Sequence, residues 1–367
     1  MTLSLQGLST PGRVADAGEG ISRDELHLAS RNHALPLETL RSELTPPGLH
    51  YVLTHYDIPQ VDIREWRLTV DGLVDRPLTL DLDALTALPQ HTVRVTLECA
   101  GNGRATLEPR PVSQPWLTGA VGTADWTGVR LADVLADAGP TDRAVDVVFT
   151  GLDHGIERGV EQDYQRGLPL DEALAADVLV AYEMNGAPLP IQHGFPARLV
   201  VPGWYGMAHV KWLTAITVQD EPFEGFQHHA YRVRQGADDI GEPVTRIEPR
   251  ALLTPPGFPD FITRTRVLRP GPVQLEGRAW SGWGGVCRVE LSTDGGTSWV
   301  DTTLDDQVGR WAWRRFSAPW EATPGEHMLR VRAYDETGRV QVTEPAWNRG
   351  GFTNNADEPV PCLVLAD

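Results

Sequence analysis

Val95-Thr96-Leu97-Glu98-Cys99-Ala100-Gly101-Asn102-Gly103-Arg104 is the stretch on which the reading of this chain turns. It closes an alternating run, His91-Thr92-Val93-Arg94-Val95-Thr96-Leu97, whose period of two predicts a strand with one buried face. The alternation stops at a single cysteine. Ala100, Gly101, Asn102 and Gly103 then let the chain turn sharply and bring backbone amides close to whatever lies there. A thiol at a strand end, beside cationic Arg104, sits where a thiolate is stabilised and can serve as a soft metal ligand or a nucleophile. Taken by itself, such a cysteine is more often a small buried core residue.

Working outward, residues 66–74 alternate as a strand and turn at Asp71-Gly72, and residues 80–88 predict a short helix with Asp81 or Asp83 near its start. Residues 128–139 predict a second helix with a glycine stop. Residues 145–150 form a strand that ends in Gly151-Leu152-Asp153-His154-Gly155, where an aspartate is ordinarily a turn residue. Residues 171–176 are expected to be helical and 178–183 to be a buried strand, followed by an Asn185-Gly186 hairpin. Residues 199–201 and 215–218 complete a strand-rich region around the loop at 202–206.

Residues 1–40 are polar and read as an irregular arm laid over the surface or partly disordered. The periodicity breaks between 241 and 256, where four prolines fall. Beyond it, hairpins at residues 293–299 and 335–338 separate short alternating runs, which predicts an immunoglobulin-like sandwich. The expected class is α+β, with an arm at 1–40, a mixed β-rich domain at 41–244 and a sandwich at 245–367. Seven of the 12 tryptophans lie between Trp280 and Trp347, more than one small core holds, so some are expected at an interface.

The 367 residues carry 50 acidic against 32 basic side chains, a net charge of −18, which disfavours nucleic acid and repels anions at long range. An anionic cofactor or substrate therefore needs a local positive cluster of Arg, Lys and His. Three cysteines are too few for a disulfide framework, and no apolar run of signal-peptide or membrane-spanning length occurs, so a soluble cytoplasmic chain is expected.

Cys-Ala-Gly-Asn after Val-Thr-Leu-Glu resembles the molybdenum-liganding segment of the sulfite oxidase family. The resemblance continues through Pro115-Trp116, the run from Trp126 to Leu135, Tyr182-Glu183-Met184-Asn185-Gly186, His193-Gly194-Phe195-Pro196-Ala197-Arg198 and His209-Val210-Lys211-Trp212-Leu213. It implies oxygen-atom transfer by a molybdenum-molybdopterin cofactor with Cys99 as the metal ligand. It also implies that Tyr51, Thr54, His55, Asp153, His193, Arg198, His209 and Lys211 hold the cofactor. Tyr231 and Arg104 are then the residues that meet substrate, and the sandwich mediates homodimerisation. No cytochrome-like haem segment is evident, so electrons are expected to leave to an external acceptor.

The resemblance departs from the family in the substrate pocket. The family's Arg-Asn-His triplet falls on Leu53-Thr54-His55 in the Thr-Pro frame of residues 44–59, while Arg31-Asn32-His33 is read as a coincidence in a linker. A second family arginine falls on Gly350, with Arg349 one place early. Each lost charge-assisted contact costs roughly 1.5 to 3 kcal/mol of anion binding. Sulfite is then held weakly, helped by Arg349, His50 or His229, or the substrate is a less anionic sulfoxide or N-oxide. A cofactor-free binding module is the remaining alternative.

Overall fold

The computed structural model describes residues 12–366, so residues 1–11 of the expected arm lie outside the described residues. The remainder of the arm is more ordered than its composition suggests. Ser22 caps the helix Arg23–Arg31 with a reciprocal bond pair to Glu25, and Leu35 and Leu40 enter the core. Arg31-Asn32-His33 is not an idle linker. His33 pairs with Val52, and the Asn32 side chain accepts the Thr54 backbone N–H at 2.8 Å.

Two sheets lie between residues 68 and 219. One orders its strands Leu78–Leu80, Leu68–Gly72, Leu213–Gln219, Asp146–Glu157 and Val160–Pro169. The other runs Gln90–Glu98, Val121–Arg130, Leu179–Met184 and Ala187–Pro188, with Arg198–Val200 also on Leu179–Met184. The short helix Leu82–Thr86 is capped by Asp81, and the second helix covers only Leu131–Ala138, because residues 121–130 extend as a strand before it. The strand expected to end at residue 150 continues to Glu157. Its register with Val160–Pro169 slips between Thr150 and His154, and that irregularity places Asp153 in the interior instead of at a turn tip.

Residues 250–364 fold into two facing sheets of four and six strands, enclosing Leu275, Val289, Leu291, Phe316, Leu329 and Val331. The hairpin at 293–299 pairs Val286–Ser292 with Val300–Asp301, whereas the one at 335–338 is reduced to a bridge between Tyr334 and Val340. Four of the seven tryptophans bond within the chain. Trp280, Trp311, Trp313 and Trp347 donate their indole N–H groups across the seam to Glu98, Asp177, the Glu43 carbonyl and the Pro109 carbonyl, at 2.7 to 2.9 Å. The tryptophan excess therefore seals the sandwich against the rest of the same chain. No helix among the described residues is long and apolar enough to cross a membrane.

Candidate active site

The strand Gln90–Glu98 delivers Cys99 to the junction of two cavities. Cys99, His55, Leu53 and Tyr231 line both an inner cavity and a wider entrance cleft. The turn after the cysteine is held from beneath. Asn102 bonds Glu98 at 2.9 Å and accepts the Ala120 N–H at 3.0 Å, while Arg104 folds back under Gly101. A Cβ at Gly101 would lie 2.5 Å from the Arg104 guanidinium, so only glycine admits this arginine. Burial pushes the Cys99 thiol pKa up, and the positive charge of Arg104 opposes it.

The sequence quoted first contained a residue whose importance was missed. Glu98 is 1% exposed, pairs with Arg250 at 2.8 Å and accepts the Trp280 indole at 2.7 Å, so the sandwich clamps the residue next to Cys99. Its signal was a charge at the end of a strand whose final residues are all buried. Two further residues were not assigned as site residues: Trp116, whose buried indole N–H has no partner among the described residues, and Glu157, both of which line the entrance.

The inner cavity gathers Tyr51, His55, Asp153, His193, Arg198, His209 and Lys211 from four stretches of the chain, while Thr54 lies on the entrance side with its hydroxyl unpartnered. Arg198 is buried, donates to the carbonyls of His193 and His209 at 3.0 and 3.3 Å, and leaves its Nε unpartnered. Burial lowers its pKa to about 10. Lys211 donates to the carbonyls of Leu53 and Gln192 at 2.9 and 3.3 Å, and burial drives its pKa down while nearby Asp153 is driven up.

The histidines do not supply positive charge, contrary to the expectation of a joint His/Arg/Lys cluster. Burial, aided by neighbouring cations, holds His50 near 4 and His55 and His209 near 3, so at neutral pH they act as uncharged donors and acceptors. The charge belongs to Arg198 and Arg104, and only in part to Lys211, whose pKa burial lowers to about 7. Tyr231 is buried, with its phenol 2.8 Å from His55 Nε2. Burial raises its pKa well above the ordinary tyrosine value, so the phenol keeps its proton. His229, considered as an extra anion holder, lies against Glu224 at 3.5 Å and lines neither cavity.

Comparison with known proteins matches this geometry. Residues 55–227 fit the model of an oxidoreductase molybdopterin binding domain, and residues 250–357 that of a Mo-co oxidoreductase dimerisation domain. The chain is 37% identical to sulfite oxidase of Gallus gallus over 348 residues, covering 88% of this chain and 73% of that protein. The chain belongs to the sulfite oxidase family. Mitochondrial sulfite oxidase of Mus musculus is 36% identical over 348 residues, and the match covers 88% of this chain but only 62% of that protein. The sulfane dehydrogenase SoxCD of Paracoccus pantotrophus shares the fold with a TM-score of 0.78 at 24% identity, across 100% of this chain and 98% of its own.

The inner cavity suits the cofactor that this family's molybdopterin-binding domain implies. Arg198 and Lys211 have no carboxylate at ion-pair distance among the described residues, and His50 Nε2, Asp153 Oδ1 and Arg198 Nε are buried without hydrogen-bond partners. Buried groups left in this way are costly unless a ligand satisfies them. A heterocycle rich in donors and acceptors, with an anionic tail, answers both needs. The donor set therefore fits a molybdopterin.

Proposed function

We propose that this chain is a molybdenum-dependent oxidoreductase that oxidises sulfite to sulfate and passes the electrons to an external acceptor. The observation that carries the reading is the meeting of Cys99, the Tyr231–His55 pair and Arg104 where an anion-seeking cavity opens to the entrance. In this reading Cys99 is the metal ligand. Arg198 and Lys211 hold the anionic tail, while Tyr51, Thr54, His55, Asp153, His193 and His209 hold the heterocycle. The bound molybdenum-molybdopterin supplies two-electron oxygen-atom transfer.

The chain's own part is positioning. Arg104, buried and charged, presents a guanidinium fork to an oxyanion. Tyr231 donates its phenol proton as a hydrogen bond towards a substrate oxygen, and its hydroxyl lies 2.8 Å from His55 Nε2 when no substrate is there. Phe352 lies 5.1 Å from the Arg104 guanidinium and 4.9 Å from the Tyr231 ring, so water is kept off the flank of the arginine.

The losses at Leu53 and Gly350, the positions on which the resemblance places two family arginines, favour a second reading, a sulfoxide or N-oxide reductase. Molybdenum analysis followed by steady-state kinetics, with sulfite and an artificial acceptor against a sulfoxide and a reduced dye, separates the two. Fully loaded enzyme with no sulfite turnover refutes sulfite as the substrate. Protein that binds no molybdenum refutes both readings.

The matched dimerisation model and a strongly exposed apolar turn support a homodimer. Phe258, Phe261 and Ile262 are 80 to 87% exposed at the edge of the sandwich, where the hairpin of Phe258–Pro259 and Arg266–Leu268 turns.

A further inference from the structure

Beyond the entrance lies an outer cleft walled by Arg13, Arg104, Arg158, Arg232, Arg234 and Arg349. Six guanidinium groups around one cleft stand against a chain whose net charge is −18. Among the described residues Arg13 pairs with Glu19 at 2.6 Å and Arg158 meets Glu157 only at 3.9 Å, while the other four have no carboxylate at ion-pair distance. Backbone carbonyls aim them instead. Arg232 donates to Ile240 O at 2.8 Å, Arg234 to His229 O at 2.6 Å and Arg104 to Gly350 O at 2.8 Å.

A carbonyl fixes the direction of a guanidinium but leaves its charge uncompensated, and like charges confined together favour the entry of an anion. Burial, and then repulsion from Arg232 and Arg158, pull the pKa of Arg234 below its ordinary value. The Arg349 backbone N–H donates to Arg234 O at 2.8 Å, which ties the two loops carrying these residues. The outer cleft shares Arg104, Arg158 and Phe352 with the entrance, and the entrance shares Cys99, His55 and Tyr231 with the inner cavity. The three spaces form one path.

We infer that Arg158, Arg232, Arg234 and Arg349 form an outer anion site that takes a small divalent oxyanion, captures it ahead of Arg104 and holds the oxidised anion on its way out. This rests on the oxyanion chemistry proposed for the inner site. A small anion suits the cleft better than the surface of an acidic protein, because Arg104 at its floor is 5% exposed and a folded partner cannot reach it. Charges placed around a recessed cleft raise the local concentration of a counter-ion and speed its capture.

The test compares the holoenzyme with full-length Arg349→Gln and Arg158→Gln/Arg349→Gln. Neither side chain donates a hydrogen bond among the described residues, so circular dichroism and melting are expected to match the parent. Calorimetric titration with sulfate at low salt reads binding without turnover. The double variant is expected to bind sulfate about tenfold more weakly, and its kcat/KM for sulfite to lose most of its dependence on ionic strength.

Unchanged sulfate affinity with an unchanged salt slope overturns the outer site. A defect confined to reaction with an acidic protein acceptor overturns it too, in favour of a docking face. Sulfate binding that weakens in the variant, in an enzyme that never oxidises sulfite, upholds the outer site and refutes the sulfite reading alone. The Arg349→Gln single variant, expected to lose about threefold in sulfate affinity, carries the same decision if the double variant fails to fold.

Discussion

Leu53→Arg returns a cation to the inner pocket, and its outcome separates the two substrate readings. Leu53 is half-buried and lines both the inner cavity and the entrance, and its carbonyl accepts Lys211 at 2.9 Å, so the backbone is anchored and only the side chain changes. A charge-assisted hydrogen bond to an oxyanion contributes about 1.5 to 3 kcal/mol. Repulsion from Arg104 and Lys211, and the partial desolvation of a new guanidinium, take back part of that gain. A net of about 1.4 kcal/mol remains, which is a tenfold fall in KM for sulfite.

The same repulsion predicts that the variant melts below the parent without anion and recovers more than the parent does on addition of sulfate. Salt shrinks the KM advantage by screening the new contact. Steady-state kinetics at two ionic strengths, on enzyme with measured molybdenum content, provides the assay. A KM for sulfite that stays level or rises refutes the idea of a sulfite pocket lacking one cation. Loss of sulfoxide turnover in the same variant, alongside that result, favours the reductase reading.

Glu98→Gln leaves Arg250 buried without its charge partner, so urea denaturation is expected to show a loss of about 3 to 5 kcal/mol, and a loss below 1 kcal/mol contradicts the clamp beside Cys99. Because His50, His55 and His209 stay neutral when folded, with values near 4, 3 and 3, the unfolded chain takes up their protons first. Stability therefore falls as pH drops below about 6.5, by up to about 1.4 kcal/mol per unit for each histidine, with the raised Asp153 opposing; stability that holds or rises between pH 7 and 5.5 contradicts neutral histidines. Phe261→Ser/Ile262→Ser is expected to give a monomer by light scattering where the parent is a dimer, and an unchanged dimer places the interface elsewhere. Gly350→Arg is expected to lower stability by about 1 to 3 kcal/mol through overpacking, since a Cβ there would meet the Phe352 ring at 2.5 Å, and thermal melting that does not fall shows that the ring moves freely.

Much of this architecture was legible because its signals are local. The alternation before Cys99, the Asn185-Gly186 turn and the Asp81 cap each act within a few residues, and each reappears in the structure with φ values of 53° and 76° at the hairpin pair. What failed was long-range. Nothing near Asn32 announces that its side chain holds the Thr54 backbone, and nothing in a polar arm announces that Leu35 and Leu40 reach the core. The tryptophan count was read as an interface, and four of the seven do seal a seam within the chain, which composition does not distinguish from a seam between two chains. The histidines were taken as cations because residue type fixes only the unperturbed pKa, and burial decides the rest.

The changes at residues 53 and 350 are coupled to what surrounds them. Gly350 uses its carbonyl to hold Arg104 at 2.8 Å, and the space a side chain would need there is occupied by Phe352, which packs on both Arg104 and Tyr231. An arginine one residue earlier, Arg349, lines the outer cleft but neither the entrance nor the inner cavity. Positive charge that the resemblance places against the substrate is thus distributed along the approach, while Arg104 is left beside the apolar side chains of Leu53 and Phe352 at the entrance. Such a gradient suits an anion that must be gathered from dilute solution and released once oxidised, because a product gripped by three converging arginines leaves slowly. The same arrangement gives a neutral oxide no advantage in the outer cleft. The guanidinium-lined path is thus the approach that the oxyanion proposed for the inner site requires.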